Sequence, residues 1–294
     1  MPNIDFIGRS KTWLIISIAV FVVAFSALAF KGLNFGIEFT GGNLLTAKTN
    51  KPVQTAEARS VLKPLKLNDS IIQPVGKNSV MIRYGGQKDL EFKDKVVKAL
   101  SSKYKVVDVQ FEQVGPGWGS QITQAALWAL AFSMGALLLY ISFRFEFKMA
   151  VTAIVALIHD MAFTLGVYSL VGRQVTPATI AALLTILGYS LYDTIVVFHK
   201  VGENTAKIGK ESYGSMANRS LNQVLVRSLN TSITSILPVI AILIFGGETL
   251  KDFAFALAVG MFSGAYSSLI VASPLLVFWK EFEPHYRNLK RKYA

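Results

Sequence analysis

The sequence predicts an α-helical polytopic membrane protein with six transmembrane helices and a ferredoxin-like α+β exterior domain between helices 1 and 2. Hydrophobic residues make up 52% of the 294 residues, and the mean hydropathy is +0.44. These residues are gathered into six blocks, each close to the roughly 20 residues that a helix needs to cross a bilayer. Residues 32–120, between the first two blocks, instead alternate short β-like and helical patterns, which predicts a separate domain.

The charge balance alone would allow a nucleic-acid partner, since the formal net charge is +12. However, the Lys and Arg residues lie in loops, tails and the 32–120 segment, without a basic helix or an aromatic motif that reads bases. We therefore expect no nucleic-acid binding. The chain contains no cysteine, which excludes disulfides and thiol chemistry. We also expect no cofactor and no metal site.

The first block, residues 13–30, follows the basic residues Arg9 and Lys11. A basic start, an apolar run and small residues at its end are also typical of a secretory signal peptide. The run is longer than the usual apolar core of a signal peptide and matches a full membrane span, so we favour a retained first helix. Both interpretations place the following segment outside the cytoplasm.

The 32–120 segment predicts a split β-α-β-β-α-β unit. Thr55 is a candidate N-cap for the first helix, and Gly76, Lys77 and Asn78 form a plausible hairpin turn. This order of elements is that of the ferredoxin-like fold. In sequence order, the predicted elements are GIEFTGGNLLTAKT, TAEARSVLKPL, SIIQPV, SVMIRY, KDLEFKDKVVKALSSKY and VVDVQFEQV.

Five further spans follow the inserted segment. Thr176 and Pro177 suit the N-cap and first position of the fourth span. The polar stretch 200–226 is expected to be a loop that overlaps the start of the fifth span. The predicted spans are 121–143, 149–171, 177–199, about 224–245 and about 252–279. The resulting divisions are 1–31, the N-terminus with the first helix; 32–120, the exterior domain; 121–279, helices 2 to 6; and 280–294, a basic cytoplasmic tail.

The distribution of positive charge predicts the orientation. The N-terminus, the turn at Arg144 and Lys148, the 200–226 stretch and the tail are basic and lie on one side of the membrane. Excess Lys and Arg in short loops marks the cytoplasmic side. Both termini are therefore expected in the cytoplasm, with the 32–120 domain outside.

Asp193 is the main candidate functional residue, because it lies within the apolar block 177–199. A carboxylate at the centre of a membrane helix costs roughly 2.5–3.5 kcal/mol on insertion scales, and a purely structural helix would have no need of it. We predict a proton relay, with supporting polar groups on the same spans. The relay residues are Asp193, Arg227 and Asp160, and the supporting residues are His159, Tyr189, Asn230 and Thr231.

Simpler interpretations stay open for three of these residues. Arg227 could be a positive flank that extends to the membrane surface. His159 and Asp160 could serve as interhelical hydrogen-bonding groups, which are common in membrane proteins.

Four motifs resemble the SecD/SecF family of protein-export membrane proteins, and SecF members in particular. The four motifs are GLNFGIEFTGG (32–42), LIHDMAFTLG (157–166), GYSLYDTIVVFHKVGEN (188–204) and LVRSLNTSIT (225–234). The first of these motifs contains Gly36, Glu38, Gly41 and Gly42. Departures from the family pattern are Tyr192 for Asn, His199 for Asp, Gly202 for Arg and Glu38 for Asp.

The resemblance implies a six-helix half of an RND-type bundle that works as the SecF subunit of a SecDF complex. It implies use of the proton motive force to assist late stages of protein translocation through the SecYEG channel. The partners implied are SecD as a heterodimer, SecYEG, the translocating polypeptide, protons and, as further candidates, YajC and YidC. The location implied is the inner membrane of a bacterial or archaeal cell.

Two other functions remain as alternatives. One is an RND-type exporter half for small molecules or lipids, which would need a roomy exterior pocket. The other is an intramembrane aspartyl protease that uses Asp160 and Asp193, since Tyr192-Asp193 is similar to one motif of such proteases. The second motif of those proteases, GxGD, is absent. We therefore expect a transport protein and no enzyme.

Overall fold

The computed structural model describes residues 4–67, 70–76, 78–85 and 90–293. It divides into two compact units, one formed by residues 35–128 and one by the residues before and after that range. Within these described residues, six helices are long and apolar enough to cross a membrane. The predicted fold class is confirmed.

The 35–128 unit contains a four-stranded antiparallel sheet in the order β3-β4-β2-β5. The two helices between its strands complete the β-α-β-β-α-β order of the ferredoxin-like fold. Lys77, in the predicted hairpin turn, lies outside the described residues. The elements are β1 (Asn34–Phe35), α2 (Ile37–Thr40), β2 (Gly42–Thr49), α3 (Thr55–Leu62), β3 (Ile71–Val75), β4 (Ser79–Tyr84), α4 (Leu90–Ser101) and β5 (Val106–Val114).

One face of this sheet forms the core of the unit. Leu45 of β2 pairs with Ile82 of β4 on one side and Phe111 of β5 on the other. Alternate residues point to the same face of a strand, so these side chains lie together. They pack with Val96 and Leu100 of α4 in one apolar cluster.

The predicted first strand begins too early in the sequence. Residues 37–40 form a short helical turn, and the strand starts at Gly42. Gly41 (φ 69°) and Gly42 (φ 123°) have positive backbone angles that favour glycine. This pair therefore ends the helical turn and directs the chain into the strand.

The other unit contains long membrane helices. The sixth span is interrupted by a π-helical turn, Ser268–Ala272, between α9 and α10. Turns of this kind are rare and occur often at functional sites. The elements are α1 (Ser10–Lys31), α5 (Pro116–Arg144), α6 (Phe147–Val171), β6 (Gln174–Val175), α7 (Pro177–Thr205), α8 (Tyr213–Phe245), α9 (Glu248–Ser267), α10 (Ser273–Lys280) and α11 (Pro284–Tyr293).

The predicted loop at 200–226 is wrong, because most of it is helical. α7 continues to Thr205 and α8 already begins at Tyr213, capped by the hydroxyl of Ser212. Helix α8 buries Met216 and Leu221 in the core although the segment is polar overall. An amphipathic pattern in a polar stretch therefore extends both helices beyond the apolar blocks.

The start of α7 is as predicted. Thr176 is the N-cap, and its hydroxyl accepts a hydrogen bond from the Thr179 backbone N–H. Pro177 occupies the first position, where a missing N–H costs nothing. This cap fixes the beginning of the helix that carries Asp193.

Candidate functional site

Asp193 is buried between α7 and α8, with 5% of its surface exposed. Its Oδ1 accepts a hydrogen bond from the hydroxyl of Ser228 on α8. Its Oδ2 is also buried, and no hydrogen-bond partner for it exists among the described residues. A buried carboxylate with one unsatisfied oxygen is unfavourable as a charged group, so the site favours a proton or water at that oxygen.

Two further unpartnered polar atoms lie one helical turn from this pair. The hydroxyls of Tyr189 and Ser232 are buried and have no hydrogen-bond partner in the described part of the chain. Tyr189 precedes Asp193 by four residues on α7, and Ser232 follows Ser228 by four on α8. Because the two helices run in opposite directions, both steps lead toward the same end of the helix pair. Buried polar groups without protein partners are usually satisfied by ordered water.

Arg227 does not point toward Asp193. Its neighbour Ser228 is buried against Asp193 while Arg227 is exposed, since successive helical residues point about 100° apart. No Asp193–Arg227 ion pair occurs among the described residues. Asn230 is exposed as well, and the hydroxyl of Thr231 donates to the Arg227 carbonyl oxygen at 2.9 Å.

Asp160 lies in a different environment, where both carboxylate oxygens are fully occupied. It is completely buried and accepts hydrogen bonds from Ser190 (2.6 Å), Ser263 (2.6 Å) and Ser267 (2.8 Å). These serines belong to α7 and α9, whereas Asp160 is on α6. The carboxylate therefore cross-links three membrane helices. Its partners could have been suggested by the i, i+4 spacing of Ser263 and Ser267.

His159 bridges helices beside Asp160. Its Nε2 lies 3.0 Å from the hydroxyl of Ser17 on α1 and 3.3 Å from that of Tyr266 on α9. Its Nδ1 lies 3.2 Å from Asp160. The ring also stacks on Phe21, with 5.7 Å between ring centroids. These contacts fit an interhelical hydrogen-bonding role.

Polar and small residues also cover the exposed sides of α7 and α8. On α7, Tyr192 is 59% exposed, and Thr185 is exposed on the same side two turns away. On α8, Arg227, Asn230 and Thr234 are exposed at i, i+3 and i+7. We call these two sets the polar stripe. Contact of such groups with lipid is costly, so the polar stripe is suited to contact protein or water.

The glycine motif of residues 36–42 has a packing role in the 35–128 unit. Gly36 precedes the helical turn that carries Glu38, and Gly41 and Gly42 end it. A Cβ at Gly119, at the start of α5, would lie 2.5 Å from the Phe39 carbonyl oxygen. The helical turn at 37–40 therefore packs directly against Gly119, where any larger residue would collide with the backbone of the turn.

Comparisons with known proteins agree over the length of the chain. The family profile "Protein export membrane protein SecD/SecF, C-terminal" matches residues 93–282, and "SecD/SecF GG Motif" matches residues 26–53. A "Protein translocase subunit SecF" from Streptomyces coelicolor is 41% identical, over 98% of this chain and 80% of the relative. Another from Calditerrivibrio nitroreducens is 37% identical, over 95% of this chain and 94% of the relative.

A solved structure shows the same architecture. The crystal structure of SecDF from Thermus thermophilus, described as a translocon-associated membrane protein, is 34% identical with a TM-score of 0.87. The alignment covers 95% of this chain and 39% of that chain. With the motifs, the six membrane helices and the inserted sheet domain, these matches show that the chain belongs to the SecD/SecF family of protein-export membrane proteins.

Proposed function

We propose that this chain is the SecF-type subunit of a SecDF complex that uses a proton gradient to assist protein translocation. The observation that carries the proposal is the buried carboxyl of Asp193, which has one oxygen on Ser228 and one without a hydrogen-bond partner in the described part of the chain. The unpartnered hydroxyls of Tyr189 and Ser232 continue from it along the helix pair. Water on these groups would give protons a route to the carboxyl.

The structural response to protonation of Asp193 would depend on which residue of α8 faces its carboxyl group. A neutral carboxyl needs only the hydroxyl of Ser228, whereas the ionised form is stabilised by a guanidinium. Arg227 is the adjacent residue, so a rotation of α8 by about 100° would replace Ser228 with Arg227. A label-to-label distance between α7 and α8 that stays fixed with and without a gradient would contradict this exchange.

The available energy is sufficient for such a switch. A unit charge that crosses a potential of 100 mV carries about 2.3 kcal/mol. This amount shifts a two-state equilibrium by nearly fifty-fold. Proton uptake at Asp193 could therefore drive a conformational cycle, which the inserted domain would use to move a bound polypeptide.

The partner would be a SecD-type half that covers the polar stripe. The Thermus thermophilus relative carries both halves in one SecDF chain, of which this chain matches 39%. We place both termini in the cytoplasm, the 35–128 unit outside, and the complex beside a SecYEG channel in the inner membrane. YajC and YidC are further candidate partners.

Transport is favoured over proteolysis by the surroundings of the two acids. A protease dyad needs two carboxylates that share a proton. Asp160 instead bonds to Ser190, Ser263 and Ser267, while Asp193 bonds to Ser228. The two groups share no hydrogen-bond partner among these contacts, so we propose no enzymatic role.

The test is gradient-dependent protein export by membrane vesicles that contain the complex. Asp193→Asn keeps the size of the side chain but removes the titratable group. We expect it to abolish the gradient-stimulated part of export and to leave the remainder. Asp94→Asn in the 35–128 unit is the matched control and should export as the parent does. Retention of gradient stimulation by Asp193→Asn would overturn the proposal.

A further inference from the structure

A large cavity lies at one end of the membrane unit, away from the carboxylate site. It has a volume of about 920 Å³, within the range of small-molecule sites. Its walls are the N-terminal segment 5–14, the start of α8 and the region from α10 to α11. Its lining residues include Asp5, Ser10, Lys11, Leu14, Leu275 and Phe278.

The wall formed by the N-terminal segment is held in place. The Phe6 N–H donates to Asn218 Oδ1 at 2.8 Å, and the Ile4 N–H donates to Asn222 Oδ1 at 2.9 Å. The Phe6 side chain is buried in the main apolar cluster of the helices. The cavity is thus preformed, which lowers the ordering cost of binding.

The cavity presents charges of both signs. Lys11 and Lys290 line it together with Asp5 and Glu281, so these four groups sum to zero. Lys290 and Glu281 are paired with each other at 2.5 Å. A simple anion would meet the carboxylates, and a simple cation would meet the lysines. A ligand that carries both charges matches this lining better than either.

Part of the cavity lining is apolar and is shared with a second groove. Leu275 and Phe278 line both spaces. The second groove has a volume of about 290 Å³ and is almost entirely hydrophobic, with Val151, Val155 and Phe282 along it. A polar cavity that is lined by charges of both signs and adjoins an apolar groove at the end of membrane helices has the form of a phospholipid site.

We propose that this cavity binds a phospholipid with a zwitterionic, primary-amine headgroup, as in phosphatidylethanolamine. The phosphate lies toward Lys11 and the hydroxyl of Ser10, and the ammonium lies toward Asp5. One acyl chain follows Leu14 and Leu275 into the second groove. The bound lipid fills the space between the N-terminal segment and α10.

Native mass spectrometry of the purified 294-residue chain tests this site, with lipids added singly at equal concentration. The probes are phosphatidylethanolamine, phosphatidylcholine and phosphatidylglycerol. We expect the first to be retained about tenfold better than the second, whose quaternary ammonium cannot donate a hydrogen bond to Asp5. Asp5→Ala/Lys11→Ala should lose this preference. Lys95→Ala/Asp108→Ala, which removes the same charges from the 35–128 unit, should keep it.

A second variant distinguishes loss of the lipid site from misfolding of the double variant. Ser10→Trp changes no charge but fills the cavity, and it should lose lipid retention while the thermal unfolding midpoint stays that of the parent. Equal retention of all three lipids would show a non-specific lipid shell and overturn the proposal. Preferred retention of phosphatidylglycerol would overturn the zwitterionic assignment in favour of an anionic lipid.

Discussion

Asp160 and Asp193 are both buried acids in membrane helices, but their hydrogen-bonding surroundings differ. Asp160 accepts hydrogen bonds on both oxygens from three serines of two other helices. Asp193 accepts a hydrogen bond from Ser228 and lies near the hydroxyl of Ser268, and its second oxygen is buried with no well-formed hydrogen bond to the described residues. A carboxylate whose oxygens are all hydrogen-bonded is suited to hold helices together, whereas one with an unsatisfied buried oxygen is favoured in the protonated form and is therefore suited to take up a proton.

Asp160→Ala should therefore destabilise the protein strongly. It removes the acceptor from three buried hydroxyls, each of which costs about 1–3 kcal/mol when left unsatisfied. We expect the thermal unfolding midpoint in detergent to fall by many degrees. Asp193→Asn, measured alongside, should change it little. A similar loss for both variants would contradict the distinction between the two acids.

Outside the membrane, Glu57 should make the 35–128 unit sensitive to acid. The hydroxyl of Tyr104 and then the ammonium of Lys103 hold the pKa of Glu57 below its usual value of 4.5. Because the folded pKa is below the unfolded one, the stabilisation is full above about pH 5 and is lost as the pH falls through the lowered pKa.

Amide hydrogen exchange of residues 52–62 between pH 6 and pH 3 would detect this change. The parent should lose protection at the acid end beyond the intrinsic pH effect on exchange. Glu57→Gln should show lower protection at pH 6 and little further change. An unaltered pH profile in Glu57→Gln would show that another group is responsible.

At the scale of elements, close helix contacts depend on glycine. A Cβ at Gly166 of α6 would lie 2.4 Å from the Cβ and 2.7 Å from the carbonyl oxygen of Ala24 on α1. Since a backbone atom is involved, the helices themselves would have to separate. Small residues at such contacts allow membrane helices to approach closely.

Gly166→Ala should accordingly loosen the packing of α1 on α6. We expect a lower thermal unfolding midpoint and faster cleavage of the first helix region by protease. Gly135→Ala on α5 is the matched control, because a Cβ there would meet no atom of the described residues within 4 Å. Equal behaviour of the two variants would show that the contact is not tight in solution.

Long apolar runs and a clear N-cap could be recognised in the sequence, whereas a turn decided by the backbone angles of two glycines could not. The six spans follow from their apolar length and the start of α7 from Thr176 and Pro177. The sequence of residues 36–49 predicts a single strand, but the positive backbone angles of Gly41 and Gly42 end a helical turn at 37–40 and delay the strand to Gly42.

The same limit applies within the candidate site. Asp193 was identifiable because a charge within an apolar block is unusual. Ser228, its actual contact, was not, since serine is common in membrane helices and only the rotation of α8 decides whether residue 227 or 228 faces inward. The role of Arg227 stays a prediction that depends on a second conformation.

At the scale of the whole molecule, the polar stripe should be covered by the partner half. The chain has no cysteine, so single cysteines can be introduced without a prior change. Tyr192→Cys, labelled with a thiol-reactive photo-cross-linker, should cross-link to the SecD-type partner in native membranes. Val155→Cys, exposed in the apolar groove of α6, should not. Cross-linking at Val155 alone would place the partner on the opposite face.

The hydrogen bond between the Phe6 N–H and Asn218 joins residues 212 positions apart. A ribosome completes the first member of this pair long before the second. Until α8 emerges, the segment ahead of the first helix has no place to dock, and Phe6 stays uncovered. Final closure of the bundle must therefore wait until Asn218 has been synthesised, and a chain stalled earlier would expose the undocked segment ahead of the first helix to cellular quality control.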